Sequence, residues 1–362
     1  MTEQRDIEAI RARIDQVDAQ LLGLISERAA LAQAIAEAKR LEAGGAVQFY
    51  RPEREARVLE RIREQNQGPL GDEDVMRLFR EIMSACLGLE QPLSVAYLGP
   101  EGTFTQAAAV KHFGHWVITR PVPTVAEVFR EVAAGGTQYG VVPIENSTEG
   151  IVTHTLDMFM DSPCQIAGEV LLRIHHHFLT HPDDNTTISR VYSHAQSFAQ
   201  CRNWLDEHYP QIERSAVSSN GEAARLAAEQ PGTAAIAGEM AAELYGLSCA
   251  YSNIEDRPEN TTRFLVIGSH PVPRSGHDKS SLMITGVHRP GALYHLLAPL
   301  AENGVNMTRI ESRPSQCVQW QYVFFLDVEG HTEDTPVAQA LQALEREAAW
   351  VKVLGSYPRA LL

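Results

Sequence analysis

Residues 7–41 read IEAIRARIDQVDAQLLGLISERAALAQAIAEAKRL, and this stretch decides the fold of the N-terminal part of the chain. Apolar residues recur three or four positions apart from Ile7 to Leu41, and no proline stands between Met1 and Tyr50. The pattern predicts one helix far longer than the roughly 11–12 residues that are usual. Two shorter helices give too little cover for its apolar stripe, so we expect a dimer in which long helices pack on each other.

Those two shorter helices complete a predicted all-α, three-helix domain over residues 1–91. Gly44-Gly45 interrupts the first helix, and Pro52 suits the first turn of a second helix that continues through Ile62. A third helix is predicted from the acidic start at Asp72 through Cys86.

From Leu93 onward, strands and helices alternate. A short strand, Ser94–Leu98, runs into the glycine turn of GPEGTFTQAA, and the alternation ends with a strand at Phe264–Gly268. It predicts a two-lobed α/β domain over residues 93–269, whose ligands bind at the carboxyl ends of strands beside helix N-termini. The predicted elements include a helix over Thr148–Met160, one strand over Glu169–Thr180 and a helix over Ser197–Tyr209.

The last part of the chain is predicted to be a separate small domain. Residues 270–279, HPVPRSGHDK, have the composition of a linker. Over residues 280–362 the order βαββαβ predicts a ferredoxin-like domain. Its predicted strands are Ser281–Thr285, Met307–Arg313, Trp320–Val328 and Val351–Leu354, and its predicted helices are Pro290–Asn303 and Thr335–Ala348.

The composition narrows the class of protein. In 362 residues, 44% are hydrophobic and 21% are charged, which excludes a collagen-like or disordered chain. A net charge of −15 argues against nucleic-acid binding, and we expect no membrane span. The five cysteines are scattered and form no CxxC, so we expect neither disulfides nor a zinc site. The expectation is a cytoplasmic enzyme.

Three cations of the first helix have informative spacing. Arg28 and Lys39 are eleven residues apart, so they lie on one helix face, ~16 Å apart along the axis. Arg11 lies ~25 Å from Arg28 and is rotated by ~100°, so only in an antiparallel dimer does it reach the partner's site. The alternative to a binding site is that this helical segment serves only for dimerisation and that its arginines are solvated.

This segment resembles the all-helical chorismate mutases over about Arg5–Glu90. The match rests on Arg11 in IEAIRARID, Arg28 in LISERAALA, Lys39 in AEAKRL, and Arg54 and Glu55 in YRPEREARVLERI. The resemblance implies that Arg28 and the partner's Arg11 bind the carboxylates of chorismate, that Lys39 binds the ether oxygen, and that Glu55 accepts the substrate hydroxyl.

Three positions depart from that family, two of them on the third helix. Cys86 and Glu90 stand where relatives often have Ser and Gln, and Arg51 stands where some have an acidic residue. Glu90 can replace the hydrogen-bond donor Gln only when protonated, so a raised pKa is required.

Four stretches of the α/β segment together resemble prephenate dehydratase over about Leu93–Gly268, although each alone is explained by helix caps or a strand start. They are Gly99–Ala108, YGVVPIENSTEGIV from Tyr139 to Val152, SHAQSFAQC from Ser193 to Cys201, and DRPENTTRFLVIG from Asp256 to Gly268. The resemblance implies that Thr262 assists departure of the ring hydroxyl, and that Arg263 holds a substrate carboxylate or has a structural role. It also implies a cleft lined by Glu101, Gly102, Thr103, Asn146, Ser147, Thr148, Gln196 and Ser197. Arogenate is the alternative substrate.

The run His175-His176-His177 is not predicted to bind metal. Successive side chains of a strand alternate between faces, so three adjacent histidines cannot converge on one ion. We expect no metal and no cofactor.

The C-terminal segment resembles an ACT domain, a module that senses amino acids. Gly291-Ala292-Leu293 and Glu311-Ser312-Arg313-Pro314 match the phenylalanine-binding stretches of that family. Gly291 allows a close backbone approach, and the adjacent helix N-terminus offers N–H groups to a carboxylate. A structural domain that only dimerises is the alternative.

The whole chain therefore resembles the bifunctional chorismate mutase–prephenate dehydratases. This resemblance implies conversion of chorismate to prephenate and then to phenylpyruvate, feedback inhibition by L-phenylalanine, and a homodimer or higher homo-oligomer. A non-catalytic amino-acid sensor is the alternative from another class, and the intact Lys39, Glu55 and Thr262 argue against it.

Overall fold

A computed structural model describes residues 7–43, 48–183, 186–286, 289–314 and 322–361. The predicted break at Gly44-Gly45 and the start of the strand predicted at Trp320 lie outside these residues. None of the helices that the structure describes is long and apolar enough to cross a membrane.

The N-terminal segment is all helix, as predicted. It consists of α1 (Ile7–Ala43), α2 (Pro52–Gln65) and α3 (Asp72–Glu90). Pro52 opens α2 at the position where its missing N–H costs nothing, and acidic residues begin both α2 and α3. Helix α3 packs against both α1 and α2.

The first half of α1 protrudes from the rest of the chain. Every residue from Ile7 to Glu27 is exposed, and the exposed side chains include Ile10, Ile14 and Leu21. Only in the second half do Ala32 and Ala36 become buried. The residues that the structure describes therefore leave a long apolar stripe uncovered.

A first sheet forms one lobe of the α/β segment. Its strands are β1 (Ser94–Leu98), β2 (Ile118–Val122), β3 (Tyr139–Asn146), β4 (Gly150–Ile151), β5 (Gln165–Arg173) and β11 (Thr261–Gly268). The order is β2-β1-β3-β11-β5, with β4 beside β3. Strands β1, β2 and β3 are parallel, and β11 lies antiparallel between β3 and β5. Its helices are α4 (Phe104–Phe113), α5 (Val125–Ala133) and α6 (Thr153–Asp161).

A second sheet forms the other lobe, so the two-lobed α/β architecture is confirmed. The strands are β6 (His177–Thr180), β7 (Arg190–His194), β8 (Glu213–Val217), β9 (Thr233–Ala237) and β10 (Ser248–Tyr251), in the order β10-β6-β9-β7-β8. The helices are α7 (Ala195–Gln200), α8 (Arg202–His208), α9 (Asn220–Glu229) and α10 (Glu239–Tyr245).

Three predicted elements of this segment are wrong in detail. The strand predicted over Glu169–Thr180 is two strands in different sheets, because the chain crosses between the lobes at residues 174–176. The helix predicted over Ser197–Tyr209 is interrupted at Cys201. The helix predicted from Thr148 begins only at Thr153, because the backbone N–H groups of Thr148 and Glu149 bind the Asn146 side chain in a turn.

The C-terminal segment has the predicted ferredoxin-like fold. Its elements are β12 (Asp278–Gly286), α11 (Ala292–Glu302), β13 (Met307–Pro314), β14 (Tyr322–Glu329), α12 (Thr335–Glu347) and β15 (Ala348–Pro358). The sheet is antiparallel in the order β13-β14-β12-β15. Strand β12 begins at Asp278, inside the stretch predicted to be a linker, and β15 is longer than predicted.

The C-terminal sheet and the first sheet share one apolar core. Met283 and Phe325 of the former pack in the same cluster as Ile144 and Ile267 of the latter. At Gly355 the two backbones approach so closely that a Cβ there would lie 2.3 Å from the carbonyl oxygen of Ile166. The C-terminal domain is therefore packed firmly on the back of the α/β segment.

Candidate functional site

A cleft of about 960 Å³ lies between the two lobes of the α/β segment. It opens at the carboxyl ends of β1, β2, β3 and β7, where the topology places a ligand. The backbone carbonyl of Glu101 meets α9 of the other lobe, where a Cβ at Gly221 would lie 2.2 Å from that oxygen. The two lobes therefore touch beside the cleft.

Two of the helices whose N-termini meet this cleft begin with a hydroxyl cap. Thr103 caps α4 by accepting from the Gln106 N–H, and Ser219 caps α9 by accepting from the Glu222 N–H. Both caps line the cleft, whereas no Lys or Arg does among the residues that the structure describes. An anionic ligand would therefore be held by N–H dipoles and hydroxyls, without a guanidinium.

Thr262 lies on the wall of the cleft with its oxygen already engaged. Asn146 faces it across β3 and β11, and the Asn146 Nδ2 donates to Thr262 Oγ1 at 2.8 Å. The same amide donates to Asn260 Oδ1 at 2.9 Å. Because the Thr262 oxygen accepts this bond, its own hydrogen is left to donate to a ligand in the cleft.

Asn260 organises the residues behind this wall. Its Oδ1 accepts from the hydroxyls of Ser147 at 3.4 Å and Thr148 at 3.3 Å, and its Nδ2 donates to Gln200 Oε1 at 3.2 Å. Ser147 and Thr148, predicted to line the cleft, therefore support Asn260 from behind and are absent from the lining.

His176 joins the same network. Its Nε2 lies 2.8 Å from Gln200 Oε1, an acceptor that Asn260 also uses, so Nε2 is the nitrogen that carries hydrogen. Burial lowers the pKa of His176, which keeps the ring neutral. The adjacent His175 binds Glu255 and His177 accepts from the Asn253 N–H, so the three rings have separate roles.

The predicted cleft residues are therefore partly brought together. Glu101, Thr103, Asn146, Gln196, Ser197 and Thr262 line the cleft, and Gly102 lies in the same loop. Four polar residues of this region are not predicted from the sequence: Asn260, Gln200, His176 and Asn220, the last three of which line the cleft. The first two stand within stretches already singled out, DRPENTTRFLVIG and SHAQSFAQC, but nothing local in the sequence shows that they meet.

Arg263, for which the sequence left two roles open, does not line the cleft. It follows Thr262 on β11, so its side chain points to the opposite face of the sheet. There it binds Glu169 at 2.8 Å and also Asp327 of the C-terminal segment. Of the two roles that the sequence left open, these contacts support the structural one.

In the helical segment, Arg28, Lys39 and Glu90 come together. Burial raises the pKa of the Glu90 carboxyl, and the nearby charges of Lys39, Arg28 and Arg40 oppose that rise. Cys86 is buried one turn before Glu90 on α3. Lys39 also donates to the carbonyl of Phe49 at 3.4 Å.

The other predicted residues of that segment lie elsewhere in the single chain. Glu55 faces Arg80, at 3.5 Å, in a junction that also contains Tyr50 and His112, and burial raises its pKa to about 7. Arg11 and Arg54 are exposed, Arg11 on the protruding half of α1, and Arg51 pairs with Glu53.

The two stretches of the C-terminal segment differ in accessibility. Gly291, at φ +76°, precedes α11, whose first turn holds Ala292 and Leu293. On β13, Glu311 and Arg313 are half-buried, whereas Ser312 and Pro314 are exposed. Arg313 makes two bonds, of 3.1 and 3.0 Å, to Asp157 on α6 of the first lobe.

Comparisons with known proteins agree on three regions. Family models match residues 10–91 (chorismate mutase type II), 95–272 (prephenate dehydratase) and 280–346 (ACT domain). Bifunctional chorismate mutase/prephenate dehydratases are 57% identical in Pseudomonas aeruginosa, over all of both chains, and 42% identical in Aquifex aeolicus, over 99% of each. A crystal structure of prephenate dehydratase in complex with L-Phe, from Arthrobacter aurescens, is 34% identical, with a TM-score of 0.69, over 74% of this chain and 90% of that chain.

The raised pKa of Glu55 predicts that the free energy of unfolding depends on pH. The folded chain holds its proton up to about pH 7, whereas the unfolded chain releases it near 4.5, so stability falls as pH rises between these values. Between pH 5 and 8 the wild type is expected to lose on the order of 2 kcal/mol more unfolding free energy than Glu55→Gln. Urea denaturation at several pH values measures this. Glu64→Gln, exposed on the same helix, is the control, and parallel curves for wild type and Glu55→Gln would contradict the prediction.

Proposed function

The chain belongs to the bifunctional chorismate mutase/prephenate dehydratase family, and from this premise we propose which residues carry each reaction. The enzyme rearranges chorismate to prephenate and then decarboxylates and dehydrates prephenate to phenylpyruvate, in L-phenylalanine biosynthesis. The observation that carries the dehydratase assignment is the hydroxyl of Thr262, held by Asn146 at the wall of the interlobe cleft.

Thr262 is the hydrogen-bond donor to the departing ring hydroxyl. As carbon dioxide leaves, the electron pair of the broken C–C bond enters the ring, and aromatisation expels the hydroxyl. Hydroxide is a poor leaving group, so a donor at that oxygen lowers the barrier. The Asn146 amide stabilises negative charge that develops on the Thr262 oxygen.

The substrate carboxylates are bound by the N-termini of α4 and α9. Thr103 and Ser219 cap these helices at the cleft, and their dipoles favour negative charge. Gln196 and Ser197 add polar side chains to the same wall, and Glu101 and Gly102 form the loop that closes it.

The mutase site is assigned to Arg28, Lys39 and Glu90, with Cys86 behind them. Supporting this proposal, the charges of Arg28 and Lys39 both act on Glu90. Arg28 is suited to a carboxylate, while Lys39 and a protonated Glu90 are suited to the ether oxygen, where charge develops as its bond breaks. For Glu55 and Arg54 a role in this site stays a prediction, because Glu55 faces Arg80 in the single chain.

A homodimer is part of the proposal. The uncovered apolar stripe on the first half of α1 supports it, and Arg11 lies on that same half. Antiparallel packing of two such helices brings the partner's Arg11 to Arg28. We also assign the enzyme to the cytoplasm, in keeping with its scattered cysteines.

L-Phenylalanine is the proposed effector of the C-terminal domain. The matched ACT model and the relative crystallised with L-Phe support this assignment. The left-handed Gly291 at the start of α11 leaves backbone N–H groups for a carboxylate, and Glu311–Pro314 lie on the edge strand β13.

Replacement of Thr262 by Val keeps the shape of the side chain and removes its donor. Turnover of prephenate is expected to fall about 100-fold or more, whereas conversion of chorismate to prephenate stays at the wild-type rate. A time course that follows chorismate, prephenate and phenylpyruvate measures both reactions, and Thr261→Val, at the half-buried preceding residue, is the control. Phenylpyruvate formed at the wild-type rate would refute the assignment of Thr262.

Complementation between two inactive variants tests the shared mutase site. Arg11→Ala and Arg28→Ala should each lose most mutase activity. When the two chains are coexpressed, half of the dimers are mixed and each has one intact site, so activity should return to about a quarter of wild type. If both arginines served a site within one chain, mixing would restore nothing.

Mutase activity is expected to decline as pH rises. Glu90 donates only when protonated, and its raised pKa places the decline above the ordinary range of a glutamic acid. Glu90→Gln donates at every pH and should flatten the profile of kcat/KM, while Glu73→Gln, exposed on the same helix, should keep it. A wild-type profile without a decline, or one that persists in Glu90→Gln, would count against this role.

A further inference from the structure

The side chain of Arg263 joins the catalytic strand to the C-terminal domain. Its Nε donates to Glu169 of β5 at 2.8 Å, and its other nitrogens donate to Asp327 of β14 and, at 3.1 Å, to the Tyr357 hydroxyl of β15. Only 11% of the side chain is exposed. Arg263 is therefore fixed at three points, two of which belong to the C-terminal sheet.

These residues belong to a buried group of charges that we call the Arg263 cluster: Glu169, Arg263, Lys279, Asp327 and Tyr357. Lys279 of β12 lies 2.9 Å from Glu169, so two positive and two negative charges balance. Glu169 and Asp327 are each at most 5% exposed. A buried charge that loses its counterion is costly, so the two sheets are held in one relative position.

The cluster lies directly behind the pair of residues assigned to the dehydratase reaction. Thr262 and Asn146 are opposite each other on β11 and β3, and each has a neighbour tied to the C-terminal domain. Arg263, next to Thr262, binds Asp327. Glu145, next to Asn146, lies 3.2 Å from Arg309 of β13. Both strands that carry the catalytic hydrogen bond are thus anchored from the back.

The same anchors adjoin the strand proposed to bind the effector. Arg309 of β13 lies opposite Asp327 of β14 in the strand register, and Glu311–Pro314 follow on β13. A shift of β13 relative to the first lobe therefore changes the positions of both Arg309 and Asp327.

We propose that Arg263 is a positioning residue for prephenate dehydration, through which the C-terminal domain sets the position of Thr262. With the cluster intact, β11 holds Thr262 within reach of Asn146 and of the substrate. The inference rests on the proposed roles of Thr262 and of the effector domain, and it adds the contact that connects them.

The test is Asp327→Asn, which has nearly the same shape and removes one charge on the side of β11 that faces away from the cleft. We expect kcat for prephenate to fall about 10- to 100-fold, because small displacements of a catalytic group have effects of this size, while KM stays within about twofold. L-Phenylalanine should still bind in calorimetry, but its inhibition of the remaining turnover should be weakened. Asp327→Glu, which keeps the charge, should recover part of kcat.

Two further variants separate positioning from stability. Arg263→Lys keeps the charge but replaces the planar guanidinium, whose three nitrogens reach three separate partners, with a single nitrogen, so it should resemble Asp327→Asn. Glu329→Gln, at a half-exposed pair with Arg359 on the same strand as Asp327, should match the wild type. Thermal unfolding of every variant gives the folded fraction at the assay temperature.

Unchanged kcat in both Asp327→Asn and Arg263→Lys would overturn the inference, and so would losses that only follow the folded fraction. A Thr262→Val enzyme with full turnover would instead refute the proposed site. If calorimetry finds no L-phenylalanine binding to the wild type, the effector assignment fails, and the kcat comparison alone decides the role of Arg263.

Discussion

The insertion of β11 between β3 and β5 is the constraint on which the rest of the molecule depends. This strand returns from the second lobe and pairs with both neighbours, so its first residues lie at the mouth of the cleft. Alternation along the strand then places Thr262 toward the cleft and Arg263 toward the C-terminal sheet. One strand thus lines the cleft with Thr262 on one face and attaches the C-terminal domain through Arg263 on the other.

The polar residues around Thr262 have a clear division of labour. Asn146 donates to the Thr262 hydroxyl and to Asn260, Asn260 donates to Gln200, and His176 binds Gln200. Asn146 and Thr262 lie on strands of the first lobe, whereas Gln200 lies on α7 of the second lobe and His176 in the segment that crosses between the lobes. The position of the hydroxyl is therefore sensitive to how the two lobes are set relative to each other.

Much of the architecture followed from local patterns. The long helix, the alternation after Leu93 and the βαββαβ order depend on periodicity, which a sequence displays directly. The exposed strands β2 and β10 lack the apolar alternation that identifies a half-buried strand, and both were missed. The crossing at residues 174–176 was missed because a strand that changes sheets keeps its β-propensity throughout.

In the cleft, the motif residues were found, but Asn260, Gln200 and His176 depend on contacts between distant segments. The pairing of Arg263 with Asp327, 64 residues later, left no local trace at all.

The absence of lysine and arginine from the cleft lining, within the described chain, affects how the product leaves. A guanidinium carries a full charge that attracts any anion over a long range, whereas a helix N-terminus contributes roughly half a charge that fades within one turn. Prephenate carries two carboxylates and phenylpyruvate one, because the other departs as carbon dioxide. On the proposed binding mode, each turnover removes one of the two groups that the helix termini hold. Phenylpyruvate is then held through one carboxylate by short-range dipoles alone. The reaction itself therefore lowers the affinity of the enzyme for its product, which favours release over product inhibition.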